Sequence, residues 1–232
     1  MGEIRLQFFY VNLIVVVILA YANAVTDPEI VPRSAWHARP AKQADPIISP
    51  VPYVVIHHTF NPPACNTTEE CLSAMRWMQD FHQFNRTWWD IGYNFAVGGD
   101  GKVYEGRGWF TIGAHAPRYN SISMGISLIG DWTASLPPER QLAAAHKLIA
   151  MGVREGHIAE DYHLVGHRQV REGTECPGEV LYEEIKKWPH YDPHPDYVDL
   201  LKKKKGDGSK ATPPDEHNRL QKGTAPFISK LL

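Results

Sequence analysis

The chain has 232 residues and a net charge of −2. Its basic excess sits in residues 202–232, where eight Lys and Arg face three Asp and Glu, leaving the rest near −7 and excluding a nucleic-acid partner. Between the two ends, about 170 residues suffice for one domain with a real core, and no repeat or linker divides them.

The first residues, "MGEIRLQFFYVNLIVVVILAYANAV", combine an early Arg, an apolar stretch and the Ala22-Asn23-Ala24 pattern that precedes signal cleavage. A membrane anchor is the competing reading, since the stretch approaches spanning length. Asn12 and the cleavage pattern favour a signal peptide over residues 1–24, hence a secreted chain with no membrane span once mature. The segment "PYVVIHHT" is β-branched and bounded by proline, which predicts a buried strand ending in His57 and His58.

Next, Thr67 and Glu70 stand at capping-box spacing before Leu72, Met75, Met78 and Phe81, which predicts an amphipathic helix. "YNFAVGGDGKVYEGRG" reads as a hairpin turning at Gly-Asp-Gly, and "MGISLIGDW" as another strand. A helix over "ERQLAAAHKLIAMGVREG", a strand "YHLVGH" and a last helix "GEVLYEEIKKW" follow. Alternating strands and helices predict a single α/β domain, a central mixed β-sheet flanked by helices, over residues 31–193. The Lys-, Gly- and Pro-rich residues 202–232 lack an apolar period and predict a disordered tail.

Three cysteines are present. In an oxidising compartment Cys65 and Cys71 form the natural disulfide, and Cys176 is left over. Asn66 and Asn85 head glycosylation sequons, in keeping with secretion. A histidine at one strand end (His57 or His58), His167 at another and Cys176 in the next loop supply a His2Cys set. Three protein ligands with a fourth position kept for water is the catalytic zinc pattern. Spacing alone leaves open the alternative of histidines bonded within the core or at the surface.

"VIHHT", "DIGYNF", "GGDGKVYEGRGW", "GAHAPRYN", "GISLIGDW" and "GHRQV…TECPG" together resemble the peptidoglycan recognition proteins, specifically their zinc-amidase branch, related to phage lysozyme-type N-acetylmuramoyl-L-alanine amidases. The resemblance runs from about Val31 to Pro193. It implies a Zn2+ centre at His57, His167 and Cys176, with Tyr93 and Thr174 in the reaction centre. It also implies substrate contacts at Thr59, Arg107, Gly108, Trp109, His115, Tyr119 and Asn120. The implied activity is hydrolysis of the muramic acid–L-alanine amide by a monomer acting in innate immunity. Relatives that only bind peptidoglycan usually have serine at the cysteine position, so Cys176 favours catalysis over a non-catalytic receptor. Gly108-Trp109 implies a partner of the meso-diaminopimelic-acid type, with Thr133 standing where some such relatives carry arginine. Of Trp88 and Trp89, one is expected in the core and one at the groove's rim. One departure stands out: eight residues separate His167 from Cys176 where the family has seven, and Gly173 is the extra one.

Overall fold

The computed structural model describes residues 26–195; the expected signal peptide (1–24) and tail (202–232) lie outside them. Six strands form one mixed sheet. They are β1 (Ile30–Val31), β2 (Val51–His58), β3 (Phe95–Val97), β4 (Val103–Glu105), β5 (Ser123–Leu128) and β6 (Ile158–Gly166). The order across the sheet is β1-β4-β3-β5-β2-β6, with only β3 and β4 antiparallel. The helices are α1 (Thr68–Asp80), α2 (Glu139–Arg154), α3 (His167–Val170) and α4 (Glu179–Ile185).

Helix α1 starts where its side chains satisfy the free N-terminal amides. Thr67 Oγ1 accepts from Glu70 N–H, and the Glu70 carboxylate accepts from Thr67 N–H. The helix leaves its α form earlier than the periodicity predicts, passing into a π-helical turn over Phe81–Asn85. Helix α2 buries Gln141, Ala144, Ala145, Leu148, Ile149 and Gly152, one stripe at helical spacing.

The sheet carries helices on both faces. Val54, Ile56, Phe95, Val97, Ile126, Leu148, Ile149, Leu181 and Ile185 share one core between the sheet, α2 and α4. On the other face Met75 and Met78 of α1 pack with Ala96, Tyr104, Ile91 and Tyr93. Strand β2 is buried along its whole length apart from half-buried Pro52. A continuous apolar run is what a central parallel strand requires, being covered on both sides.

Strands β2, β5 and β6 run parallel, so their C-terminal ends gather at one rim of the sheet, where open α/β sheets place their ligand sites. The β2–β6 register pairs Ile56 with Gly166. The next residue along each, His57 and His167, therefore stand side by side.

Candidate metal centre and active site

Successive side chains on a strand point to opposite faces, and this decides between the two adjacent histidines. His58 faces the α2 side, where its Nδ1 accepts from Trp132 N–H (3.3 Å) and lies 3.7 Å from Asp131 Oδ1. Burial pulls its pKa down to about 4, with Asp131 partly opposing. His57 faces the α1 side, and its ring centroid is 4.3 Å from that of His167 and 5.3 Å from that of Tyr93. Its Nδ1 lies 3.7 Å from Cys176 Sγ.

His57, His167 and Cys176 are all buried, and one ligand atom from each lies within 4.8 Å of the others. Zinc–sulfur and zinc–nitrogen bonds of about 2.3 and 2.0 Å at a tetrahedral angle would set S and N about 3.5 Å apart. The His57–Cys176 distance meets that spacing. Both ring nitrogens of His167 are buried with no protein partner. A buried polar atom left unpaired costs about 1–3 kcal/mol, so this ring is poised for a ligand that the protein does not supply. Burial is the main cause that keeps both histidines well below their ordinary pKa and therefore neutral, the state a metal needs. The same burial pushes the Cys176 thiol up to about 12, although His58 N–H, 3.4 Å from Sγ, favours the thiolate. A cation among these three atoms supplies the charge that would deprotonate it. The donor set fits zinc.

The extra residue before Cys176 does not pull the loop out of reach. Gly173 adopts φ +77, and a side chain there would meet open space. The left-handed turn absorbs the insertion where glycine is unstrained. Behind it the loop is tied to α3, because Arg168 N–H donates to Cys176 O (2.8 Å) and the Arg168 guanidinium to Glu175 O. Half-buried Thr174 accepts a hydrogen bond from Cys176 N–H at 3.2 Å. Glu175 is exposed.

Tyr93 is 3% exposed, and burial raises its phenol far above the ordinary value. With Thr59, Asn61, Trp77, Met78, Phe81 and His82 it lines a cavity of about 60 Å³. Thr59 is locked there, donating to Pro62 O (2.7 Å) and accepting from Gly130 N–H (2.8 Å). His82 escaped the sequence reading: it lies four residues past Met78, on a stretch that reads only as amphipathic helix. Its Nδ1 accepts from Gly92 N–H at 3.1 Å, and its ring stacks on Trp88.

The other residues implied as substrate contacts do not line this cavity. Trp109 packs in the core, its ring stacked on His157. Arg107 donates to Ile91 O and Ile112 O and lines a separate cavity of about 270 Å³ with Arg33, Arg39 and Asp90. Gly108 N–H donates to Asn94 O, and Tyr119 packs edge-on against Tyr53. Asn120 Oδ1 accepts from the His115 and Ala116 amides, and His115 sits behind His57. Trp88 and Trp89 are both half-buried, not one in the core and one at the rim. The two tryptophans sit in the irregular segment after the π-helical turn, outside any helix or strand.

The Cys65–Cys71 disulfide is formed and closes onto the first turn of α1. Asn66 and Asn85 are both exposed. Among the described residues, no helix is long and apolar enough to cross a membrane.

A mixed α/β domain with two imidazoles and a thiol converging at the C-terminal rim of its parallel strands belongs to the class of candidate metallohydrolases. Comparison with known proteins sharpens this. The family described as N-acetylmuramoyl-L-alanine amidase matches residues 48–179. The chain is 53% identical over 169 residues to peptidoglycan-recognition protein LB of Drosophila melanogaster, covering 73% of this chain and 72% of the relative. It is 42% identical over 167 residues to an N-acetylmuramoyl-L-alanine amidase of Mus musculus, covering 71% of this chain but only 31% of that longer relative. The solved structure of wild-type Drosophila PGRP-LB superposes with a TM-score of 0.71 at 52% identity, over 73% of this chain and 99% of that one. A tyrosine-to-phenylalanine variant of PGRP-LB, solved in complex with tracheal cytotoxin, superposes with a TM-score of 0.69 at 53% identity, over 70% of this chain and 96% of that one. The chain belongs to the N-acetylmuramoyl-L-alanine amidase family, among its peptidoglycan-recognition proteins.

Proposed function

We propose that this chain is a secreted, zinc-dependent N-acetylmuramoyl-L-alanine amidase that cleaves the amide between muramic acid and L-alanine in peptidoglycan fragments. The convergence of His57 Nδ1, His167 and Cys176 Sγ beside the Tyr93 ring carries this reading. Zinc held by these three residues would supply Lewis acidity and activate a water for attack on the amide carbonyl.

The remaining work falls to the chain itself. Tyr93 keeps its proton at any working pH, so its hydroxyl donates to the carbonyl oxygen as negative charge builds there. Thr174 braces the Cys176 amide and with it the third ligand. Thr59, Trp77 and His82 wall the cavity that continues from Tyr93 and present it to the substrate. Trp109 acts by packing, with its ring against Phe95 and His157. The complex of a PGRP-LB variant with tracheal cytotoxin supports a muropeptide as partner. The family's Gly-Trp pair at Gly108-Trp109 supports the meso-diaminopimelic-acid type. Secretion by a signal peptide at residues 1–24, a monomeric domain over 31–193, glycans on Asn66 and Asn85 and a role in innate immunity complete the proposal.

The test is incubation with a muropeptide, with and without chelator, followed by chromatography for free stem peptide. Release that chelation abolishes and zinc restores is the expected result. Binding without release under any metal condition would make the chain a recognition receptor instead.

A further inference from the structure

His115, which the family resemblance implies as a substrate contact, is buried and lies against His57. We infer that His115 is a positioning residue for the metal centre: it accepts a hydrogen bond from His57 and so leaves the other nitrogen of that ring free to ligate. This rests on the metal reading proposed above and assigns a residue outside the ligand set to it.

His57 Nε2 and His115 Nδ1 are 3.0 Å apart, the rings lie at 84° to each other, and both side chains are buried. At 3.0 Å the two facing nitrogens are within hydrogen-bonding distance, which requires that one carry the proton and the other present its lone pair. If His115 donated, the His57 proton would sit on Nδ1, against Cys176 Sγ, and no lone pair would face the ligand cluster. If His57 donates, Nδ1 is free and the His115 proton moves to its own Nε2. A ligating histidine whose other nitrogen is hydrogen-bonded has its tautomer and ring angle set by that partner.

His115 is built to stay in place. A Cβ on Gly125 would stand 2.3 Å from His115 Cδ2, and one on Gly113 would stand 2.4 Å from the same atom. The ring thus occupies a slot that only two glycines leave open. Its backbone is fixed as well, since Asn120 Oδ1 accepts from the amides of His115 and Ala116 at 2.8 Å each. His115 is absent from the lining of the cavity beside Tyr93.

Zinc affinity, measured by competition with a fluorescent chelator on the full secreted chain, tests the assignment. Asn and Leu have the same shape, but only H115N keeps an acceptor where Nδ1 stood. H115L is expected to weaken zinc binding about 10- to 100-fold, and H115N to recover most of that loss. Muropeptide binding to the zinc-free protein should be the same in both variants. If H115L does not fold, H115N against H115Q decides, because Gln lacks an acceptor at the Nδ1 position. Equal zinc affinity across a folded pair, or loss of muropeptide binding in the zinc-free variants, overturns the inference while leaving the amidase reading intact. A wild-type chain that takes up no zinc sinks both.

Discussion

Cys176 and Tyr93 divide the proposed chemistry between ligation and oxyanion stabilisation, and substitutions separate the two. C176S exchanges a soft thiolate for a poor ligand with little change in shape. Stem-peptide release should fall to background and bound zinc should be lost, while the fold and muropeptide binding persist; metal analysis and calorimetry read these out. Y93F removes one donor to the developing oxyanion and should lower kcat by about 10²–10³ with KM nearly unchanged. At this scale the sequence showed residue types well, for a third cysteine left over from a close pair asks for a partner. Spacing alone left His57 and His58 open and only the family resemblance chose His57, because the choice depends on which face of β2 meets α1. Nor could spacing show that Trp109 and Arg107 turn away from the cavity, since a tryptophan reads alike in a groove and in a core.

Among the elements, α1 is the one whose start is written most plainly in the chain. T67A removes the cap and should cost about 1 kcal/mol, lowering Tm by about 2–4 °C, and it leaves the sequon functional because Asn66 and Thr68 are unchanged. Its end was less legible: the periodic apolar residues continue into Phe81, but the backbone widens to a π turn there. That turn brings His82 to the cavity wall beside Tyr93. Burial lowers the His82 pKa to about 3, so the folded chain excludes a proton that the unfolded chain binds below about 6.5. Its contribution to stability is complete above pH 6.5 and is lost as pH falls towards 3, at roughly 1.4 kcal/mol per pH unit. Urea midpoints of the zinc-free protein at pH 7 and pH 5 should show this fall, with a shallower slope in H82Q.

For the whole molecule, the candidate ligands come from β2, from the first residue of α3 and from the loop after it, 119 residues apart at the extremes. A metal joining them stabilises the folded chain by mass action, about 2.7 kcal/mol at a hundredfold excess over Kd. Chelation should therefore lower Tm by several degrees in a calorimetric scan, and zinc should restore it. The chain's own residues determined the local pieces: the capped helix, the β-branched strands, the hairpin at Gly-Asp-Gly and the close cysteine pair. Each depends on neighbours a few positions away, so periodicity and turn chemistry express it directly. The tertiary structure alone decided the rest: the register that sets His57 beside His167, the slot that aims His115 at His57, and the turn at Gly173 that keeps Cys176 within reach. Those features depend on packing between segments dozens of residues apart, and no local pattern encodes such distances.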